Sequence, residues 1–434
     1  MLTVDFKRRS GNCEGNSRRD FLKIGGLGMG GLGLGGLMQA RADAAQSGQT
    51  VKDTSVVWLW LGGGPTHVET FDPKMTAPAE YRSVSGEVKT NLPGVSLGGH
   101  FQQMAKIADK MAFVRSFAHT NSGHGGGTHF LMTGYDNRNI DNGGLPSRPS
   151  IGSITAKVRG ANHPRTGMPT YVRLSGIAAD GPAWLGTAFA PFDSNGDARK
   201  NMAMRLDGSR IDDRRGLLKG FDNLRRDSDR TGVMDGLDAF ERQAFNLVMG
   251  KAPQAFDLKR EDPRVVAKYG GGLGQQMLMA RRLCEAGCGF VTIQYGGWDM
   301  HSKIETSMNR RGPEVDRAVS AFVDDLTQRG LDENVLLVVS GEFGRTPRIN
   351  RNAGRDHWAP LSTLALAGGG LNMGQTIGES DAKVSRPQTD PIGPQDLMAT
   401  IFHVLGFDRK LQFTNQGGRP VYMVEEGDVI NQLV

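Results

Sequence analysis

The sequence predicts an α/β fold built on a mainly parallel sheet with helices on both faces, a doubly wound architecture. Short, continuously apolar runs are the first indication, because strands buried on both faces have this pattern. Helical patterns between the runs are the second, and polar residues directly after the runs are the third. The apolar runs lie at 55–61, 112–117, 170–174, 289–295, 335–340 and 362–367.

Segments with helical periodicity separate these runs, at 101–110, 274–286, 313–329 and 394–405. Alternation of strand and helix along a chain is typical of parallel sheets covered by helices on both sides. In such sheets functional groups collect in loops at the carboxyl ends of the strands. The loops that follow the apolar runs are therefore where we expect the functional site.

Residues 1–44 have the features of a twin-arginine signal peptide. The stretch 17–23, SRRDFLK, matches the export pattern, and the run 24–38 precedes a small-x-small cleavage site at 42–44. That run is about 15 residues long, whereas a membrane anchor needs about 20 apolar residues. We therefore expect the twin-arginine translocation machinery as a partner, a periplasmic or extracellular location, and no stable membrane span after cleavage.

The mature chain, 45–434, is predicted to form a single α/β domain. Within it, 178–264 is rich in Arg and Asp and lacks strand-like runs, which indicates a largely helical insertion. The whole chain has a formal net charge of +6, and the mature part has 45 basic and 42 acidic residues. So small a surplus argues against a dedicated nucleic-acid binder.

Candidate metal ligands cluster in loops next to the predicted strands, and they include six of the nine histidines. Imidazole and carboxylate groups together bind zinc, manganese or iron. Clustering at one edge of the sheet therefore predicts a metal site there. The candidates are His67, Glu69, Asp72, His119, His124, His129, Asp299, His301, Glu342, Asp356 and His357.

Asp299, His301 and His357 are the first-choice ligands. Asp299 and His301 lie two residues apart in a segment expected to be extended, so both side chains project to one side. Glu342, His67 and His124 would complete a second or shared site, and Glu69 and Asp356 are further candidates. Two ions about 4 Å apart can clamp the attacking and leaving oxygens of a phosphoryl or sulfuryl transfer.

An anionic substrate is indicated by two further features. Gly125, Gly126 and Gly127 precede a segment that resembles the first turns of a helix at 128–132. A helix N-terminus presents free N–H groups and a positive dipole end to an anion. Arg345 is a candidate anion clamp, because guanidinium pairs bidentately with phosphate, sulfate or carboxylate.

Five motifs resemble the bacterial family called domain of unknown function 1501, which is sulfatase-like and usually carried on twin-arginine signals. They are GGGPTHVETFDPK, HGGGTHFLMTGY, GGWDMHSK, SGEFGRTPRINRNAGRDHW and DPIGPQDLMATIFHVLGFD, and they span nearly the whole mature chain. The resemblance implies the alkaline phosphatase and sulfatase superfamily, with a doubly wound α/β fold and a one-metal or two-metal site at the strand ends.

The resemblance implies roles for individual positions. Residues 131–134 resemble the LxTG that closes the sulfatase signature CxPSR, and counting back places the nucleophile position on His124. The rest of CxPSR is absent, so formylglycine chemistry is not expected. Glu342 and Phe343 stand where the superfamily's SDHG motif has its aspartate and histidine ligands. His357 resembles the late histidine ligand.

Three nucleophiles stay open: a metal-bound water, which we favour, a hydroxyl such as Ser122 or Thr128, and nitrogen attack by His124. The sequence thus predicts an exported metal-dependent hydrolase of phosphate or sulfate esters. Zinc is the first-choice metal, with manganese, iron or calcium as alternatives. A non-catalytic exported binding or scaffold protein that retains the fold is the alternative, and an enzyme that transfers or isomerises is a third.

Overall fold

An eight-stranded sheet organises the described part of this computed structural model, residues 53–195 and 252–434. The order across the sheet is β12-β4-β11-β8-β1-β7-β5-β6. Three two-stranded ladders, β2 with β3, β9 with β10 and β13 with β14, lie outside it. The strands are β1 Ser55–Trp60, β2 Glu87–Lys89, β3 Ser96–Gly98, β4 Ala112–Val114, β5 Tyr171–Arg173, β6 Phe192–Asp193, β7 Phe290–Gln294, β8 Val335–Ser340, β9 Gly344–Arg345, β10 His357–Trp358, β11 Leu364–Gly368, β12 Gln375–Ile377, β13 Gln412–Thr414 and β14 Pro420–Tyr422.

The first strand lies at the centre of the sheet and is parallel to both of its neighbours. Val57 on β1 is opposite Val291 on β7 and Leu337 on β8. Each of the six predicted runs contains a strand of this sheet. Only β11 runs antiparallel to its neighbours, β4 and β8. The prediction of a mainly parallel sheet is confirmed.

Helices cover both faces of the sheet. Alternate residues of β1 point to opposite sides, as the two-residue period of a strand requires: Val57 and Leu59 pack with α5 and α6, whereas Val56 and Trp58 pack with α1, α2 and α7. The doubly wound architecture is therefore confirmed. The helices are α1 His124–Thr133, α2 Ile151–Arg159, α3 Ala252–Ala255, α4 Pro263–Tyr269, α5 Leu273–Glu285, α6 Ile304–Arg329 and α7 Pro394–Leu405.

Two helix predictions were wrong in detail. The segment 101–110 forms a 3-10 helix over Met104–Lys110 instead of an α-helix. Helix α6 begins nine residues earlier than predicted and contains Pro313 in its interior. An interior proline removes a backbone hydrogen bond. The earlier turns nevertheless bury Ile304 and Met308 almost completely, which offsets that loss.

The predicted signal peptide, 1–44, and most of the predicted insertion, 196–251, lie outside the described residues. At the described ends of the insertion are three short 3-10 helices, α3 and part of α4, and the two-residue strand β6. Strand β6 extends the sheet edge by pairing with β5. Across 53–195 and 252–434, no helix combines the length and the apolar character that crossing a bilayer requires.

A matched pair of leucine truncations tests this packing. Leu337 on β8 is 0% exposed, whereas Leu145 in a surface loop is 84% exposed. We expect Leu337→Ala to lower the free energy of unfolding by about 2–5 kcal/mol through lost burial and a residual cavity. Leu145→Ala should change it by less than about 0.5 kcal/mol. Equal effects in equilibrium urea unfolding would contradict the assigned core.

Candidate metal centre

The candidate ligands meet at the carboxyl edge of the sheet. Asp299 and His301 follow β7, and Glu342 follows β8. His124 is the first residue of α1, which comes after β4. His357 precedes β11, and because β11 is antiparallel its amino end lies at the same edge as the carboxyl ends of its neighbours. Three different connections of the sheet thus deliver side chains to one place.

Asp299 lies at the centre of three imidazoles. Its Oδ1 atom is 2.9 Å from Nε2 of His301 and 3.1 Å from Nε2 of His357. Its Oδ2 atom is 3.5 Å from Nε2 of His124. The Nε2 atoms of His301 and His357 are 3.1 Å apart. Ligand atoms of His124, Asp299 and His357 all lie within 4.8 Å of one another, as a shared metal ion requires.

Each of the three histidines is fixed from behind through Nδ1. The acceptors are Glu342 Oε1 at 2.8 Å from His124, Asp356 Oδ1 at 2.6 Å from His301, and the Ser122 carbonyl oxygen at 3.0 Å from His357. A carbonyl or carboxylate oxygen only accepts, so the proton of each neutral ring belongs on Nδ1. When the three rings are neutral, their Nε2 lone pairs face the Asp299 carboxylate, an arrangement that a bound cation would stabilise. Such carboxylate–histidine–metal relays are common in metal sites.

The centre is open to solvent. The side chains of His124, Asp299, His301 and His357 are 45%, 44%, 46% and 26% exposed. Structural metal sites are closed to solvent, whereas catalytic sites stay accessible to water or substrate. The exposure of all four groups is typical of the second kind.

Arg345 contacts the centre through Asp299. Its side chain is fully buried, and Nη2 lies 2.5 Å from Asp299 Oδ1. The other donors bond to the carbonyl oxygens of Gly63, Gly64 and Arg355. The expected role as a substrate clamp is therefore not what this geometry provides, because the guanidinium is already occupied. Instead it fixes the carboxylate around which the imidazoles gather.

The pKa values reflect these contacts. Partial burial acts to raise the pKa of Asp299, but the hydrogen bond and charge of Arg345 outweigh it and lower the pKa to about 2. The hydrogen bond from His124 to Glu342 raises the pKa of that histidine. Desolvation lowers the pKa of His357. The hydrogen bond from His301 lowers the pKa of Asp356.

Phe343 forms the floor of the centre. Its ring centroid lies 5.1 Å from that of His124 and 4.4 Å from that of His357. A Cβ atom on Gly64 would lie 2.4 Å from the Phe343 ring, and Gly64 has φ of +76°, so this position requires glycine. The aromatic ring therefore orients two imidazoles at the position where the resemblance has a ligand.

Glu342 lies behind the centre. One oxygen accepts from His124 and from the Gly63 N–H, each at 2.8 Å. Its other oxygen, Oε2, is buried without a hydrogen-bond partner within the described ranges. Asp356 is likewise behind His301. Both residues were predicted as ligands, and the structure places both as outer partners of imidazoles.

Three predicted ligands lie away from this cluster. Nε2 of the buried His67 is 2.9 Å from the Val384 carbonyl oxygen, to which it donates. Glu69 pairs with Arg355. The Asp72 carboxylate accepts a hydrogen bond from the Ser380 hydroxyl. These side chains hold loops of the same edge to one another, and no ligand atom of theirs joins the centre.

The other predicted histidines also have local partners. His129 is buried and donates to the Tyr135 carbonyl oxygen at 2.7 Å. His119 is buried next to the start of the loop that carries Ser122. The sequence does not separate His119 and His129 from His124, because all three follow the same strand, β4.

The α1 N-terminus is already capped by an internal carboxylate. The helix begins at His124, four residues earlier than predicted. Asp141 accepts from the N–H groups of Gly125 and Gly126, at 2.8 and 3.2 Å. Sequence reasoning missed Asp141, since an acidic residue in a distant loop carries no signal of its own. The predicted anion site at these glycines is thus filled by the protein itself.

The two candidate hydroxyl nucleophiles differ in position. The buried Thr128 hydroxyl donates to the His124 carbonyl oxygen at 2.6 Å, within its own helix. Ser122 is half-buried, and its Oγ accepts from the Ala359 N–H at 3.0 Å. Ser122 also supplies the carbonyl oxygen behind His357. Thr128 therefore does not face the centre, whereas Ser122 borders it.

The fold and the centre define an α/β protein with a candidate metal site at the carboxyl edge of a mainly parallel sheet. The model of the family described as "Protein of unknown function (DUF1501)" matches residues 53–434, and the chain belongs to this family. No curated protein matches the sequence.

Several solved structures are similar to this chain at low identity. The PsFucS1 sulfatase from Pseudoalteromonas sp. has 11% identity and a TM-score of 0.40, with 87% of this chain and 72% of that chain covered. The phosphonate monoester hydrolase SpPMH from Silicibacter pomeroyi has 13% identity and a TM-score of 0.36, with coverages of 87% and 76%. A TAB5 alkaline phosphatase variant has 13% identity and a TM-score of 0.35, with coverages of 83% and 99%.

Two buried histidines near the site predict acid sensitivity of the fold. Burial lowers the pKa values of His67 and His119 from 6.5 to about 4. Above pH 6.5 the two histidines are neutral in the folded and in the unfolded chain. Between pH 6.5 and pH 4 only the unfolded chain binds these protons, so the free energy of unfolding decreases as the pH is lowered. From about pH 7.5 to about pH 5 we expect a loss of about 2 kcal/mol for each histidine.

Urea unfolding at both pH values, with His119→Gln beside the wild type, checks this expectation. The variant cannot take up a proton at this position, so its loss of stability on acidification should be smaller. Leu145→Ala, which changes an exposed side chain that does not titrate, is the control and should follow the wild type. Parallel pH profiles for wild type and His119→Gln would contradict the prediction.

Proposed function

We propose that this chain is an exported metal-dependent hydrolase of anionic esters, phosphate or sulfate. The observation that carries the proposal is the convergence of three imidazole Nε2 atoms on the Asp299 carboxylate, with every Nδ1 bonded to an outer acceptor. This donor set fits a divalent cation. His124, Asp299, His301 and His357 would hold it.

The donor types favour zinc. Three imidazole nitrogens and one carboxylate oxygen suit zinc, and they also suit iron or manganese. Calcium prefers six to eight oxygen ligands, which this set does not offer. Phe343 occupies the space beside two of the imidazoles, and Glu342 and Asp356 are engaged behind the ligands, so we propose one ion instead of a pair.

A bound divalent cation would polarise an ester oxygen and lower the pKa of a coordinated water towards neutrality. The protein's own groups prepare the position for this chemistry. Arg345 holds the Asp299 carboxylate in its ionised form, and Glu342 and Asp356 accept from Nδ1 of His124 and His301, so that Nε2 of each ring is directed inward. Preorganised ligands of this kind need no rearrangement before the reaction.

Water is the proposed nucleophile. Thr128 bonds within its own helix, and His124 presents to the centre the same nitrogen that would bind the metal. Ser122 borders the site, but its Oγ accepts from the backbone and its carbonyl orients His357. All four proposed ligands are partly exposed, so a water molecule and an ester oxygen can reach the centre.

The charge balance of the centre suits an anionic substrate. The carboxylates of Asp299, Glu342 and Asp356 are balanced by Arg345 together with a divalent cation. A loaded centre thus carries no net negative charge and does not repel a phosphate or sulfate ester, since like charges at such distances cost energy. We propose the substrate lies outside the cytoplasm, because residues 17–23 match the twin-arginine pattern.

Metal binding is the primary test. Purified wild-type protein should hold about one zinc per chain after dialysis, measured by elemental analysis. His301→Ala removes one of four donors, so zinc affinity by titration calorimetry should fall by more than the 10–100-fold typical of losing an outer partner. His403→Ala, an exposed histidine on α7, is the control and should bind like the wild type. Full zinc retention by His301→Ala would contradict the ligand assignment.

Hydrolysis is tested with a panel of phosphate and sulfate monoesters and diesters, each with zinc, manganese, iron or calcium. We expect turnover of at least one ester with at least one metal. Asp299→Asn should lose both turnover and metal, because it removes the carboxylate charge at the centre. Metal binding without hydrolysis of any ester in the panel would support the alternative, a non-catalytic scaffold protein.

A further inference from the structure

A fully buried ion pair lies next to the proposed metal centre. Nη2 of Arg355 is 3.1 Å from Oε1 of Glu69, and both side chains are completely inaccessible to solvent. Taking two charges out of water is costly, and the attraction repays this cost only when further hydrogen bonds satisfy both groups. The partners of the two side chains therefore indicate what the pair does.

Arg355 ties together two loops that are far apart in sequence. One loop runs from the β9 strand towards β10, and the other precedes β2. The guanidinium donates to the carbonyl oxygens of Thr346 at 3.1 Å, Pro347, Tyr81 at 3.3 Å and Arg82 at 3.1 Å. Nη1 of the planar fork serves one loop and Nη2 the other, a span that a single ammonium group does not have. Nε has no hydrogen-bond partner within the described residues.

Glu69 completes the connection from the other side. Its Oε2 atom accepts from the Ser83 hydroxyl at 2.6 Å and from the Val84 N–H at 3.1 Å. Its Oε1 atom is the one that binds Arg355. Both carboxylate oxygens are thus used, and the loop at 81–85 is held to the segment that follows β1.

The anchored loop carries two groups of the metal centre. Arg355 is followed directly by Asp356, which orients His301, and by His357. The Arg355 N–H donates to the Met300 carbonyl oxygen at 3.0 Å, so the same residue also fixes the segment of His301. A displacement of Arg355 would therefore move both imidazoles and the Asp356 carboxylate.

The turn before Arg355 is held in an unfavourable backbone conformation. Ala353 has φ of +53°, and Lys303, which faces it, has φ of +47°. Hydrogen bonds from Lys303 N–H to the Asn352 carbonyl and from Ile304 N–H to the Ala353 carbonyl, 3.1 and 2.9 Å, join the two strained segments. Left-handed non-glycine residues persist only where surrounding contacts determine the backbone. The Arg355 anchor is one such contact.

We infer that Glu69 and Arg355 are positioning residues that set the metal affinity of the centre without touching the metal. This inference rests on the proposed function. The pair holds the loop at 346–357 so that His301 and His357 keep their Nε2 atoms 3.1 Å apart and directed at Asp299. Outer partners of this kind commonly change metal affinity by 10–100-fold.

The test compares Glu69→Gln with the wild type in zinc affinity and in the visible spectrum of the cobalt-loaded protein. Glu69→Gln removes the charge that balances Arg355 and should weaken zinc binding by about tenfold. The cobalt ligand-field bands should shift, because their position and intensity report ligand geometry. Circular dichroism of the metal-free variant establishes that it is folded.

Glu261→Gln is the matched control. Glu261 Oε2 lies 2.6 Å from Nη2 of Arg281, whose side chain is also buried. Arg281 is on α5, near the end of that helix and shortly before β7 begins. That position is at the amino edge of the sheet, opposite the centre. Glu261→Gln should lower thermal stability as a lost buried charge does, while zinc affinity and the cobalt spectrum stay those of the wild type.

Arg355→Lys keeps the positive charge but loses the fork, and it should change zinc affinity and the cobalt spectrum in the same direction as Glu69→Gln. It provides the readout if Glu69→Gln does not fold. Folded variants with wild-type zinc affinity and cobalt spectrum would overturn the positioning role of Glu69 and Arg355 and would leave the proposed function standing. A wild-type protein that binds neither metal would instead refute the proposed function.

Discussion

The site depends on the ion pair between Arg345 and Asp299. A fully buried guanidinium has its donors satisfied by three backbone carbonyls and by one carboxylate oxygen. The carbonyls belong to Gly63, Gly64 and Arg355, so the same side chain joins the loop after β1 to the loop before β10. Since a buried cation must keep its partners, Asp299 has little freedom to move. The imidazoles then gather around a carboxylate of fixed position and charge.

The remaining contacts orient the rings instead of adding ligands. Carboxylates behind His124 and His301, and a carbonyl behind His357, direct each Nε2 towards the Asp299 carboxylate. Phe343 supports two of the rings from below. Some residues thus face the centre and others accept hydrogen bonds behind it, which explains why residues that look equivalent in sequence have different roles. Glu342 and Asp356 are acidic and adjacent to the site, yet each is used to set the proton position of an imidazole.

Much of the sheet and part of the site were predictable. Each apolar run contains a strand because burial on both faces demands continuous apolar sequence, and α7 has the predicted bounds because Pro394 is favourable in a first helical turn. Asp299 and His301 were found from their spacing. The roles of Asp141 and Arg355 were not found from the sequence, because both roles come from partners that are distant along the chain. The early start of α6 was missed because packing outweighed an interior proline.

The sequence by itself determined the fold class, the edge of the sheet where the candidate ligands gather, and the family, because these follow from local periodicity and from motifs that are continuous in the chain. Tertiary structure alone decided which of the candidates lie around Asp299. The antiparallel direction of β11 brings His357 to the edge where the parallel strands end, while Glu69 turns towards Arg355 and His67 towards a backbone carbonyl. The physical reason is that a metal centre requires every ligand atom to lie about 2.0–2.3 Å from one ion, and such distances depend on the packing of loops that sequence spacing does not specify.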